Sequence, residues 1–164
     1  MTDAEYVAGV FAASYRRLVG QFYAMFGDLP TAEELVQEAF VRALDHARTF
    51  RNVDNPDAWL TKVAINLQRS KWRRSRRYAL LRPRLAEPGR GYEPPAEHVD
   101  LVRALSGLPV EQREVVVLHH LADLPVEQVA ETLRVPIGTV KSRLARGRGV
   151  LAGLLDDHEE ERHV

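Results

Sequence analysis

The stretch Pro125-Val126-Glu127-Gln128-Val129-Ala130-Glu131-Thr132-Leu133-Arg134-Val135-Pro136-Ile137-Gly138-Thr139-Val140-Lys141-Ser142-Arg143-Leu144 decides the fold. Val126, Val129, Ala130 and Leu133 fall three and four apart, which places them on one side of a short helix. Arg134-Val135-Pro136 breaks that period, because proline cannot continue a helix but can open the next one. In the following segment Ile137, Val140, Leu144 and either Val150 or Leu151 turn inward, which leaves Thr139, Lys141, Ser142, Arg143, Arg146 and Arg148 outward. Two short helices about a tight turn, the second basic, have the layout of a helix-turn-helix. The outward residues suit DNA: arginine can fork onto guanine O6 and N7, while Ser, Thr and Lys hold phosphates. Such helix pairs also occur as plain structural corners, and the cationic second helix is what favours a duplex.

Upstream, Leu101, Val102, Leu105 and Leu108 keep helical register, and Pro109 opens a helix to about Ala122 that is apolar at Val115, Val116, Leu118 and Leu121. His119 and His120 are adjacent and so point about 100° apart, with no third ligand near, and read as boundary residues rather than a metal site. Between Pro83 and Asp100 the chain carries four prolines and two glycines without an apolar period, which reads as a flexible linker, residues 83–100. The expected organisation is therefore all-α: a helical domain over residues 1–82, the linker, a second helical domain over 101–155, and an acidic tail over 156–164.

The first domain reads as a helix over 3–26, a break at Gly27-Asp28-Leu29-Pro30, and a second helix capped by Thr31 with Glu34 completing a capping box. The second helix would bury Leu35 or Val36, Ala39, Phe40, Ala43, Leu44 and Ala47. Its other side shows Glu34, Gln37, Glu38, Val41 and Asp45, with Glu33 adding to an acidic patch. A loop over 49–54 ends in Asn55-Pro56-Asp57: a cap, a proline at the first helical position and an acid on the positive end of the dipole. A long helix then runs toward Arg77, burying Leu60, Val63, Ala64 and Leu67 and lining up Lys62, Asn66, Arg69, Arg73 and Arg76 on a cationic face. Trp59 and Trp72 lie within it; rings among cations suit stacking on unpaired bases, although Trp59 beside Leu60 reads more readily as core.

The charge is segregated. Of 164 residues, 23 are basic and 23 acidic, yet the four segments carry net charges of +4, −2, +2 and −4. No acid falls between Asp57 and Glu87 or between Thr132 and Leu155, and these two cationic surfaces point to a polyanion, nucleic acid foremost. A hydrophobic fraction of 45 % excludes wholesale disorder, and no apolar run approaches the ~20 residues of a membrane span. The acidic N-terminus lacks the pattern of a signal peptide, which makes the cytoplasm the expected compartment. Zero cysteine removes disulfides and thiolate chemistry, and no cofactor site is expected.

These residues resemble a known family. Ala32-Glu33-Glu34-Leu35-Val36-Gln37-Glu38-Ala39-Phe40, then Ala58-Trp59-Leu60 with Ala64-Ile65-Asn66 and an arginine cluster, resemble the first domain of bacterial extracytoplasmic-function (ECF) sigma factors. Leu108-Pro109, Gln112-Arg113-Glu114 and Gly138-Thr139-Val140-Lys141-Ser142-Arg143-Leu144 resemble their second domain, and the match runs in order along nearly the whole chain. The resemblance implies a protein that is not an enzyme, binds core RNA polymerase and carries it to promoters. It implies that Glu33, Glu34, Gln37, Glu38 and Val41 meet the clamp helices of the largest polymerase subunit, with the flap of the second largest subunit as a further contact. Phe50, Arg51, Asn52, Asn66, Arg69, Arg73, Arg74, Arg76 and Arg77 would bind the −10 element and capture unpaired bases. Thr139, Lys141, Ser142, Arg143, Arg146 and Arg148 would read the −35 element. Members are often held by an anti-sigma partner.

The chain departs from the family pattern at Arg134, which sits in the turn where glycine is common and would cost ~1 kcal/mol at positive φ. Gly147 and Gly149 replace better helix formers, each weakening the second helix by up to ~1 kcal/mol. The rival reading is a stand-alone helix-turn-helix regulator, against which the second basic surface argues. An enzyme finds no support, since no paired nucleophile and base, phosphate loop or metal cluster is visible.

Overall fold

The computed structural model describes the backbone of residues 1–78 and 93–162 and the side chains of residues 1–71 and 93–154. Among the described residues there is helix, turn and bend and no strand. The chain divides into two units, Met1–Val19 with Asp28–Tyr92 and Gly20–Gly27 with Glu93–Val164.

In the first unit, α1 (Asp3–Phe26) has the bounds expected from its period. Thr2 and Glu5 bond reciprocally at its start, Glu5 N to Thr2 Oγ1 at 3.1 Å and Thr2 N to Glu5 Oε2 at 2.7 Å. This is a capping box. α2 (Leu29–Asp45) starts earlier than the Thr31 cap predicts. Asp28 is the cap: its carboxylate accepts from Thr31 N at 3.1 Å and also from the Thr31 hydroxyl. Leu29 and Pro30 then occupy the first turn, where a missing N–H costs nothing. The expected 49–54 loop is partly helical, as α3 (Ala47–Arg51). α4 (Pro56–Tyr78) begins as read, with Asn55 Oδ1 accepting from Ala58 N at 3.1 Å. Asp57 in its first turn pairs with Arg17 of α1. The core here is Val7, Leu18, Leu35, Val36, Ala39, Phe40, Ala43, Phe50, Leu60, Ala64 and Ile65. Leu44, expected inside, is 51 % exposed, and Val63 and Leu67 are only half-buried.

In the second unit, α5 (Ala96–Leu105) starts inside the stretch expected to be linker, directly after Pro95, while 83–92 lie outside the described residues. α6 (Val110–Val116) continues into a π turn, Val117–Leu121, and then α7 (Val126–Leu133) and α8 (Ile137–Arg162) form the helix-turn-helix. The tail expected over 156–164 is helical backbone as far as Arg162. Val102, Leu105, Leu108, Val115 to Leu118, Leu124, Val129, Leu133, Val140 and Leu144 build the core. Gly20 to Gly27 belong with this unit, where the Gly20 carbonyl meets His98 Nε2 at 3.0 Å and the Met25 carbonyl accepts from Arg113 Nη1 at 3.1 Å.

Gly147 is buried, and a Cβ there would stand 2.9 Å from Val116 Cγ2. The glycine read as a weak helix former is instead what lets α8 lie close against α6. Gly149 has nothing within 4 Å. Gly147→Ala is therefore expected to lower stability by about 1–2 kcal/mol, overpacking outweighing the gain in propensity. Gly149→Ala should raise it by up to ~1 kcal/mol. Urea unfolding of the two variants tests the contrast.

Candidate nucleic-acid and protein interfaces

The recognition helix is set by its buried side. Val140, Leu144 and Gly147 are buried, at the spacing of one helix face, and anchor α8. Thr139, Ser142 and Arg146 turn away from that face and Arg143 stands at its border, with Ser142 and Arg146 exposed and Thr139 and Arg143 half-buried. The Ser142 hydroxyl donates to the Thr139 carbonyl at 3.1 Å. Lys141 and Arg148 are exposed but separate: at about 100° per residue they stand about 140–160° around the helix from Arg146. Arg148 Nε donates to the Leu144 carbonyl at 3.4 Å. Beside Arg148, His120 is held below the ordinary histidine range by burial first and then by the charges of His119 and Arg148. His119 Nδ1 meets the Leu124 carbonyl at 2.8 Å, which supports the boundary role read for it. Ile137, expected inward, is 42 % exposed at the first position of α8, whereas Val140 in the same turn is fully buried.

Arg134 closes α7 in the left-handed region, at φ 56° and ψ 47°. Arginine has a Cβ that crowds the following carbonyl in this conformation. Arg134→Gly is expected to stabilise the chain by about 1 kcal/mol or less, the relief being partly offset by the extra freedom of glycine when unfolded. Thermal unfolding reads it.

On α4, Lys62, Asn66 and Arg69 share one face and are half-buried. Arg73, Arg74, Arg76 and Arg77 continue along the helical backbone, but their side chains, with Trp72, lie outside the described residues. Arg51 and Asn52 are exposed at the end of α3. Arg51 Nη1 bonds Asp3 Oδ1 at 3.0 Å and the Met1 carbonyl at 2.9 Å, and Asn52 Nδ2 donates to the Arg48 carbonyl at 3.0 Å. Phe50 corrects the expectation of a base contact. Its ring is fully buried, 5.0 Å from Trp59 edge-on and 6.0 Å from Tyr6, so it holds α3 to the core and offers no free face. Beside this loop a cleft of about 460 Å³ runs between α1 and residues 54–57, walled by Tyr6, Val10, Ala13, Asn55 and Pro56 with Glu5 and Asp54 at its border.

α2 turns Glu34, Gln37, Glu38 and Val41 outward in one row. Glu34 is 68 % exposed and Val41 55 %. Glu33 is the second correction: it is only 6 % exposed, because its position falls on the side of α2 that carries Ala32, Val36 and Phe40 into the core. Sequence reasoning also missed Lys71, on the side of α4 away from Lys62 and Asn66, whose ammonium bonds Glu34 and lies 3.1 Å from Glu38. Burial works to lower the Lys71 pKa, but the hydrogen bonds and charges of the two glutamates outweigh it and the net shift is upward. Thirty-seven residues separate Lys71 from Glu34, so no local pattern announces the pair. Among the described residues no cluster of three metal-ligating side chains occurs, and no helix is long and apolar enough to cross a membrane.

The chain matches Sigma-70 region 2 over residues 10–78 and Sigma-70 region 4 over residues 98–151. It is 32 % identical over 138 residues to the ECF RNA polymerase sigma factor EcfG of Rhodopseudomonas palustris, covering 80 % of this chain and 75 % of that one. Over 151 residues it is 30 % identical to the ECF RNA polymerase sigma factor SigW of Bacillus subtilis, with 82 % and 81 % covered. The solved structure of the sigma factor RpoE in complex with the anti-sigma factor NepR from Bartonella quintana is similar with a TM-score of 0.68 at 26 % identity, over 93 % of this chain and 96 % of that one. With two cationic helix faces and an exposed acidic row already in place, the matches leave one conclusion: the chain belongs to the ECF group of the sigma-70 family and is an alternative sigma factor directing promoter-specific transcription.

Proposed function

We propose that the row Glu34, Gln37, Glu38 and Val41 docks the clamp helices of core RNA polymerase, that the α3 end and the α4 face bind the −10 element, and that α8 reads the −35 element. The observation that carries this is the separation of charge: one exposed acidic row on α2, and cationic faces on α4 and α8. In this reading residues 1–82 hold the polymerase and −10 surfaces, 101–155 the −35 surface, and 83–100 tether them. Arg51, Asn52, Asn66 and Arg69 meet the non-template strand. The cleft beside Asn55 receives an unpaired base, its carboxylates accepting from an exocyclic amine. Extruding a base costs a few kcal/mol, which such a site must offset. On α8, Thr139, Ser142, Arg143 and Arg146 face the major groove, while Lys141 and Arg148 reach flanking phosphates. The protein works in the cytoplasm as a binding factor without catalysis, and a protein antagonist of the kind bound by the Bartonella relative fits the same surfaces.

Size-exclusion chromatography of the chain with core polymerase, followed by run-off transcription, tests the reading. Co-elution and promoter-dependent transcripts are the expected result. Duplex binding by the chain alone, with no co-elution, would instead identify a stand-alone regulator.

A further inference from the structure

We infer that Asp3, in the first turn of α1, and the Met1 carbonyl are positioning groups for −10 recognition: they hold Arg51 so that its free edge takes the phosphate beside the unpaired base. This rests on the reading that Arg51 meets the non-template strand.

Arg51 is the last residue of α3, 48 positions along the chain from Asp3. Its backbone is fixed from both sides. Phe50 before it is fully buried against Tyr6 and Trp59. After it, Asn52 N and Val53 N donate to the Thr49 and Phe50 carbonyls at 3.1 Å each. What is left to settle is the side chain, which is 41 % exposed. It is tethered through one nitrogen only: Nη1 donates to Asp3 Oδ1 at 3.0 Å and to the Met1 carbonyl at 2.9 Å. Among the described residues Nη2 and Nε have no partner. Their N–H groups point along one edge of the planar guanidinium, and such an edge grips a phosphate with two parallel bonds. A strand can therefore take Arg51 without displacing Asp3, which is what separates a positioning contact from a brake.

The tether also sets where that edge lies. Met1, whose carbonyl holds Arg51, lines the cleft of about 460 Å³ together with Glu5, Tyr6, Asp54 and Asn55. Arg51 is thus held to one wall of the cleft proposed to receive a base. Glu5 and Asp54 make the border acidic, so a strand entering there needs a cation at hand to offset repulsion of its phosphate. Asp3 is itself an acid, but it is paired with Arg51 and lies on the positive end of the α1 dipole. An arginine loose in the free protein must be ordered when the strand binds, and that ordering costs affinity. One held in advance avoids the cost.

The test forms holoenzyme from core polymerase and the full chain, and measures its affinity by fluorescence anisotropy for promoter DNA whose non-template strand is unpaired across the −10 element. Arg51→Ala, Asp3→Ala, Asp3→Asn and the Asp3→Ala/Arg51→Ala double variant are set beside the parent. An exposed ion pair adds little to stability, so the variants are expected to fold. Arg51→Ala should lose about tenfold in affinity, and Asp3→Ala about threefold to tenfold. Asp3→Asn should bind nearly as the parent does, because its side-chain carbonyl can still accept from Nη1. The double variant should be no weaker than Arg51→Ala alone, a non-additivity that a merely structural role for Asp3 would not produce. Additive losses, or parent affinity in Asp3→Ala while Arg51→Ala is defective, overturn the inference and leave the reading of Arg51 standing. Tighter binding by Asp3→Ala would make the pair a brake and overturns it as well. Parent affinity in Arg51→Ala overturns the reading of Arg51 and the inference with it.

Discussion

The Glu34→Lys/Glu38→Lys variant is expected to elute apart from core polymerase while keeping the helical signal of the parent chain. The change reverses two charges on the face proposed to meet the clamp helices, and losing charge complementarity at an interface costs several kcal/mol. A loss of that size takes a tight complex out of the range that survives a column. The fold should survive, because Glu34 is 68 % exposed and its pairing with Lys71 is a surface ion pair; such pairs contribute about 0–1 kcal/mol. Lys71 adds a check on sign. Its pKa is raised by the glutamates, so whatever stability the pair supplies is fully present at neutral pH and lost only as pH rises through the alkaline range. A melting difference between parent and variant should therefore be small at pH 7 and vanish at strongly alkaline pH, whereas the docking defect is large at pH 7. Added salt should narrow the docking gap, since exposed charges are screened within about 10 Å at 0.1 M. Binding of a −35 duplex by the second unit should be untouched.

Much of this surface was readable from periodicity, and the failures share a cause. The limits of α1, the Asn55-Pro56 start of α4 and the Thr139–Arg146 face are decided within one or two helical turns, and local spacing finds them. Glu33 and Phe50 looked functional by type and motif, but their direction depends on which side of α2 or α3 meets the core, and one residue of rotation is enough to bury them. Leu44 kept the apolar period past the point where anything covers α2. Thr31 lost the cap to Asp28 because the Leu29-Pro30 pair was read as a break, when proline is welcome in the first turn. Lys71 and Gly147 carry their meaning only in tertiary contact, one through carboxylates on another helix and the other through the Val116 methyl. The π turn at Val117–Leu121 left no sequence signal that we can name.

Arg143→Ala is expected to weaken binding to a −35 duplex by about 1–3 kcal/mol, the value of a bidentate arginine–guanine pair. The position supports a base contact. Arg143 lies within the first two turns of α8, where a recognition helix meets base edges, at the border between the outward side of Thr139, Ser142 and Arg146 and the side of buried Val140 and Gly147. Its exposure is intermediate, so part of the side chain is already held against the protein and less freedom is lost on binding. The measurement is anisotropy titration on the promoter duplex and on duplexes changed at single base pairs across the −35 element. A base contact gives a large loss on the parent sequence and almost none on the duplex lacking the cognate pair, so discrimination at that position disappears. A phosphate contact instead gives an equal loss on every duplex and lowers the slope of log K against log salt by about 0.9. Lys141→Ala is the internal comparison: Lys141 stands about 140° around α8 from Arg146, toward the flank, and should show the phosphate pattern. If both variants lose affinity uniformly, Arg143 positions the helix and the reading of sequence falls to Ser142 and Arg146. If Arg143 alone removes discrimination at one base pair, α8 is oriented with its Thr139–Arg146 face in the groove, and the buried Gly147 that draws α8 against α6 becomes part of how the promoter is read.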